Sequence, residues 1–329
     1  MSTRVNSLLW GASPFPKDVT FIVVSRLLVL AGLCLALTLL SPYFLTADNL
    51  IIVLRQAALQ FLLSAGLTLV ILTGGIDLSV GAVLGLSGCL GAAIIVKGYL
   101  LYGVAAALIV GLACGLANGA MVAYIGIPAF IATYGMLWIA HGLGYVFMKG
   151  EVIHGFPAAF RTVGAGFFGP IPIPIIVMGA VLVALQVLLR FTRFGRSIYA
   201  IGGNRDAARL CGIPVRRNLV ATYGLSGLLA ALAGLVVIAR VNAADSGMGE
   251  ELLLPAIAAV CLGGTSLFGG MGGIVGTAAG SLILALIVNG MNLLNVSTLW
   301  QAFVMGAIII FAVMADLLMG GQVRQHEVR

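Results

Sequence analysis

Charge is nearly missing from this sequence. Aspartate, glutamate, lysine and arginine make up 8% of its 329 residues, whereas a soluble domain carries about a quarter. An ordinary water-soluble fold is therefore excluded. Acids are scarcer than bases, ten against 17, and the net charge of +7 gathers in loops. That placement suits a membrane surface and gives no nucleic-acid footprint. The five cysteines (Cys34, Cys89, Cys114, Cys211, Cys261) are scattered, four of them in apolar runs, which excludes a metal or disulfide framework. The three histidines have no carboxylate at useful spacing. His141 reads as a packing residue, His154 as a loop residue and His326 as part of a tail. There is no G-x-x-x-x-G-K-[ST] phosphate loop. Gly269-Gly270-Met271-Gly272-Gly273 lacks the lysine and a preceding strand, so it reads as close helix packing. No Ser/His/Asp arrangement occurs. The expectation is a chain that is not an enzyme and carries no cofactor. No acid is convincingly placed in mid-span, which argues against coupling to protons.

What is present is apolar. Hydrophobic residues make up 61% of the chain, mean hydropathy is +1.18, and 45 glycines allow close helix packing. The pattern predicts an all-α polytopic membrane protein of about ten transmembrane helices. The spans are read at about 21–40, 50–72, 82–96, 104–124, 129–148, 171–190, 219–238, 252–260, 274–294 and 299–319. No small-residue cleavage site follows the first apolar run, which reads as a retained span. Residues 1–20 form an N-terminal segment, 21–320 the membrane domain and 321–329 a tail.

The chief polar interlude runs from Arg190 to Asn218, with seven arginines and one acid, Asp206. Basic short loops stay cytoplasmic. An even number of spans then puts both termini on that side, and the basic residues divide eleven inside to four outside. Within the loop, 204–210 predicts a short helix, capped by Asn204 and stopped by Gly212 and Pro214. It is either a handle for a partner or a basic loop that sets topology and touches anionic lipid.

The chain also repeats. Asn118-Gly119-Ala-Met121 through Gly135 resembles Asn289-Gly290-Met291 through Gly306, and Asp77 and Gly81 match Glu251 and Pro255. Halves of five spans, an odd number, face opposite ways, with inner repeats at about 50–148 and 219–320. Inverted repeats with broken segments at matching positions are a transporter signature. Asp77 stands just before Leu78-Ser79-Val80. It is either a functional intramembrane acid or a helix N-cap, and Glu250 and Glu251 share that ambiguity.

Four ordered motifs carry a resemblance: Leu72-Thr73-Gly74-Gly75-Ile76-Asp77-Leu78-Ser79-Val80-Gly81; Gly195-Arg196 through Gly202-Gly203-Asn204; Ala207-Ala-Arg209-Leu-Cys-Gly212-Ile213; and Leu262-Gly263-Gly264-Thr265-Ser266-Leu267. The chain resembles the ribose permease family, the membrane subunits of bacterial ATP-binding-cassette importers for monosaccharides. The resemblance implies a homodimer in the inner membrane with two cytoplasmic ATPase subunits, which hold ATP and Mg, and an extracytoplasmic sugar-binding protein. It also implies that the loop around Arg196, Gly202, Gly203, Asn204, Ala207, Arg209 and Gly212 couples to the ATPase. Pathway candidates at the interrupted spans are Asp77, Ser79, Ser87, Asn118, Thr265, Ser266 and Asn289. The rival reading is an ion-coupled secondary carrier of a small polar solute; a third is a membrane anchor or assembly factor.

Overall fold

The computed structural model describes residues 17–297, 299–311 and 314, with side chains from Arg26 onward. The first 16 residues, the tail with His326 and the expected end of the last span lie outside the described residues. Helix dominates, at 77%. In chain order the helices are α1 (Lys17–Leu40), α2 (Ala47–Leu72), α3 (Val80–Ile95), α4 (Leu100–Ala120), α5 (Ala129–Met148), α6 (Ala158–Ala165), α7 (Ile173–Phe191), α8 (Arg193–Gly203), α9 (Arg205–Leu210), α10 (Val215–Val241), α11 (Glu250–Leu262) and α12 (Ile274–Leu293). A further apolar helix, α13, covers Leu299–Phe311. A π-helical turn, Met121–Ile125, prolongs α4 until Gly126 turns the chain at φ 85°. Prolines open several helices. Pro128, Pro157, Pro172 and Pro214 stand just before α5, α6, α7 and α10, where a missing N–H costs nothing.

Six helices are long and apolar enough to cross a membrane: α2, α4 with its extension, α5, α7, α10 and α12. The apolar part of α1 (Arg26–Leu40), α3 and α13 are shorter. Helices thus occur in all ten apolar regions expected from the sequence, and six of them meet the length of a span.

α2 and α10 form the central pair. They pack on each other; α2 also packs on α11 and α12, and α10 on α3 and α4. From Ala57 to Leu72 and from Ser226 to Ala239 nearly every residue is buried. Small residues set the spacing of α4 and α10. A Cβ on Gly111 would lie 2.4 Å from the Gly227 carbonyl oxygen, and one on Gly115 2.2 Å from that of Tyr223. Gly111, Gly115 and Gly119, at four-residue spacing on α4, all lie against α10 of the same chain. Two arginines in apolar helices find backbone partners. Arg26 donates to the Leu262 carbonyl at the end of α11 (3.1 Å), and Arg55 to the Ala165 carbonyl at the end of α6 (2.9 Å). A cation suits a helix C-terminus.

Two small antiparallel pairs complete the fold. β1 (Ile153–His154) pairs with β4 (Ala243–Ala244), and β2 (Phe167–Phe168) with β3 (Ile171–Pro172). His154 is thus in a strand rather than a free loop, and the pairing ties the 149–172 connection to the segment before α11.

Candidate functional site

Three regions gather the polar residues: the break between α2 and α3, the α8–α9 corner, and the segment entering α11.

At the first break, Asp77 is buried although it sits among apolar helices. Its Oδ1 accepts from the Ser79 backbone N–H (3.0 Å) and from Ser79 Oγ (2.7 Å). Its Oδ2 accepts from Ser226 Oγ on α10 (2.9 Å). Asn118 Nδ2 on α4 donates to Ser79 Oγ at 2.8 Å. The N-cap position of α3 belongs to Ser79. Asp77 instead closes a turn onto Ser79 and links it across to α10. The Tyr223 and Thr133 hydroxyls both reach the Ile76 carbonyl, each at 3.4 Å.

At the corner, the expected helix is present as α9. Asn204 Oδ1 accepts from the N–H groups of Asp206 (3.0 Å) and Ala207 (2.9 Å). Gly212, at φ 78°, ends the turn. The sequence reading missed α8. Its signal was the apolar spacing Phe194, Ile198, Ile201, and Thr192 caps it by accepting from the Gly195 N–H at 3.1 Å. The end of α8 is pressed against two other breaks. A Cβ on Gly202 would stand 1.9 Å from the Leu72 carbonyl oxygen and 2.5 Å from Gly270 N, whereas one on Gly203 would meet nothing. The Gly270 N–H donates to that same Leu72 carbonyl (3.0 Å), and Tyr199 Oη donates to the Gly272 carbonyl (3.0 Å). Burial pushes the Tyr199 phenol above its usual range. Arg196, Gly203, Asn204, Ala207, Arg209 and Gly212 are exposed, as is Leu210 at 88%. Between α9, the start of α10 and the Gly74–Gly75 turn lies a cavity of about 480 Å³, lined by Arg205, Arg209, Arg216, Tyr124 and Tyr223.

The seven pathway candidates are all buried. Asp77, Ser79 and Asn118 come together as one network. Thr265 and Ser266 lie in the α11–α12 turn behind the Gly202 contact, where Gly273 N–H meets Thr265 Oγ1 at 3.4 Å. Asn289 pairs instead with Asn49 of α2, each amide donating to the other's oxygen (2.7 and 3.1 Å). Ser87 stands apart, its hydroxyl donating to the Leu84 carbonyl within α3. The sequence reading overlooked Asn49, Tyr223 and Ser226. For Ser226 there was a signal: Asn218, Thr222 and Ser226 form a buried polar row at four-residue spacing on α10.

At the third region, Gly249 and Gly81 touch. A Cβ on either would fall within 2.4 Å of the other's carbonyl oxygen, so the starts of α3 and α11 meet. Glu250 opens α11, and its Oε1 lies 2.5 Å from His141 Nδ1 of α5. His141 thus has a carboxylate partner and is not plain packing. Among the described residues no group of three His, Cys, Asp or Glu could hold a metal.

Comparison with known proteins identifies the family. The family described as "Branched-chain amino acid transport system / permease component" matches residues 49–313. The ribose import permease protein RbsC of Escherichia coli (strain K12) is 44% identical over 295 residues, covering 88% of this chain and 92% of that protein. Its Bacillus subtilis (strain 168) namesake is 45% identical over 290 residues, 86% and 89% of the two chains. The D-allose transport system permease protein AlsC of E. coli is 38% identical over 322 residues, 96% and 98%. No solved structure matches the chain. With four fifths of its length inside the family match and relatives aligned nearly end to end, the chain belongs to the family of transport-system permease components, multi-pass membrane subunits rather than enzymes.

Proposed function

We propose that this chain is the permease subunit of an ATP-driven, binding-protein-dependent importer of a monosaccharide in a bacterial inner membrane. The family title names branched-chain amino acids. The relatives named for ribose and allose align over almost the whole chain at 38–45% identity, and they favour a sugar. Energy comes from a cytoplasmic cassette ATPase that holds ATP and Mg, and substrate is delivered by an extracytoplasmic sugar-binding protein. Two copies of the chain, embedded in lipid and related by a two-fold axis along the membrane normal, present two coupling corners to paired ATPases.

The observation that carries the reading is the contact of α8 with both interrupted segments. Gly202, Leu72 and Gly270 meet backbone to backbone, with no flexible side chain between them. A push on α8–α9 reaches the end of α2 and the α11–α12 turn together. The exposed Leu210 beside Arg205 and Arg209 offers an apolar tip with basic flanks to a partner. Nucleotide closure of the ATPases would drive that corner and open the passage outward for sugar, and hydrolysis would reset it. The packing supports two inverted halves of a ten-span protein. Under an exchange of α2 with α10, α3 with α11 and α4 with α12, the α4–α10, α3–α4 and α3–α10 contacts correspond to α2–α12, α11–α12 and α2–α11. Both termini then lie on the cytoplasmic side with the arginine-rich loop.

The test is reconstitution of the purified chain into liposomes, with and without its ATPase and binding protein. Concentrative D-ribose or D-allose uptake is expected only with both partners and ATP. Uptake by the chain alone, driven by a proton or sodium gradient, overturns the reading in favour of a secondary carrier.

A further inference from the structure

His141 is the thirteenth of the 20 residues of α5. At 1.5 Å per residue about 10 Å of helix lies between it and Met148, and about 18 Å between it and Ala129. Its partner Glu250 is at the same depth because the two touch, yet the Glu250 side chain is 53% exposed. A carboxylate facing hydrocarbon at that depth is strongly disfavoured, and ionisable groups inside membranes turn to protein or to water. This face of the chain is therefore not turned to lipid.

The same face carries a ladder of rings. Tyr134 meets Trp138 edge-on at 6.3 Å, Trp138 meets His141 at 5.9 Å, and His141 meets Tyr145 at 4.6 Å. The two tyrosines and the tryptophan are each about half exposed. Interfacial aromatic belts sit at helix ends, whereas this ladder runs through the span for about 16 Å. Its polar members exclude hydrocarbon, and its exposure means that the chain's own core does not cover it.

We propose that Tyr134, Trp138, His141, Tyr145 and Glu250 form a water-facing binding track for a neutral sugar. The inference rests on the importer reading above and deepens it. A sugar ring offers C–H faces, which lie flat on aromatic rings, and hydroxyls, which donate to a carboxylate and exchange hydrogen bonds with imidazole and phenol. Repeated, similar rungs hold the ligand weakly at successive positions, as passage requires. The seven buried polar candidates do not offer such a surface. This assignment moves the substrate contacts to α5 and the start of α11.

The test uses the full complex in proteoliposomes, with the five native cysteines replaced. Trp138→Cys is expected to react with a charged, membrane-impermeant thiosulfonate. Ile139→Cys, one residue round the helix and equally exposed in the isolated chain, should stay inert in lipid. In the native-cysteine complex, Glu250→Gln and Trp138→Ala should each raise KM for D-ribose about tenfold. ATPase stimulation by the binding protein should stay within twofold. Wild-type sugar uptake combined with an inert Trp138→Cys, reached from neither side in any nucleotide state, overturns the track while leaving the importer reading intact. So does an unchanged KM in both variants. A reactive Trp138→Cys in a complex that imports no sugar overturns the sugar assignment together with the importer reading.

Discussion

Two carboxylates stand at the starts of the two short helices, and the chain treats them in opposite ways. Asp77, before α3, is buried and receives three hydrogen bonds, two from Ser79 and one from Ser226. Glu250, at the start of α11, is half exposed and has His141 beside it. A buried polar group must have its partners supplied by the protein, so the first break is a closed joint between the α2–α3 turn and α10. The second leaves hydrogen-bonding capacity free for something outside the chain. One break thus helps to hold the fold together, while the other turns a carboxylate outward.

The sharpest way to break this comparison is to remove both carboxylates in turn. Asp77→Ala leaves one backbone N–H and two hydroxyls without their acceptor, and unmet buried groups cost about 1–3 kcal/mol each. The hydroxyls can turn back to helix carbonyls, so a loss of about 3 kcal/mol is expected overall. Glu250→Ala should leave stability within about 0.5 kcal/mol, as for an exposed position. Thermal unfolding of the purified permease in detergent measures both. Equal losses would show that the two breaks are not different in kind.

Much of this comparison was hidden in the sequence for a physical reason. Apolar segments announce themselves locally, so helices fall where hydropathy placed them, from the first to the last. The Asn204 cap is equally local, because donor and acceptor are two and three residues apart. Ser226 meets Asp77 across 149 residues and Asn289 meets Asn49 across 240. Only the packed fold creates those pairs. His141 and Glu250 are 109 positions apart in the chain, and reading each alone made one a packing residue and left the other ambiguous. α8 was lost for another reason. Its apolar row, Phe194, Ile198 and Ile201, is short and interleaved with arginines. Gly203 belongs to the same motif as Gly202, but neighbouring backbone excludes a Cβ only at Gly202.

A second test asks whether the two breaks need each other. Gly249 and Gly81 touch through their backbones, and a Cβ on Gly249 would sit 1.9 Å from the Gly81 carbonyl oxygen. No rotamer can relieve that overlap, because the intruding atom is Cβ itself. Gly249→Ala should cost about 2 kcal/mol, in the range of overpacked cores. Gly247→Ala is the control, since its Cβ would meet nothing closer than Asp245 Oδ1 at 3.6 Å. The same unfolding measurement separates them. Equal stability would mean that α3 and α11 are held apart by other contacts.

The smallest effect probes the closed joint from its far side. Ser226 contributes a single hydroxyl to Asp77 Oδ2. Removing it leaves the carboxylate with both Ser79 donors, so the joint should weaken without opening. Interhelical hydrogen bonds in membrane proteins average about 0.6 kcal/mol, with the largest near 1.7. The Ser226 bond lies between buried atoms and ends on a carboxyl oxygen, which places Ser226→Ala toward the upper end, at about 1.5 kcal/mol. Ser87→Ala is the matched comparison. Ser87 is just as buried, but its hydroxyl bonds only to Leu84 in its own helix, a local bond that slightly opposes helix geometry. Its loss should fall below about 0.5 kcal/mol. If Ser226→Ala is no worse than Ser87→Ala, the Asp77 joint is held by its own turn alone. The α10 contact would then be incidental to the first break.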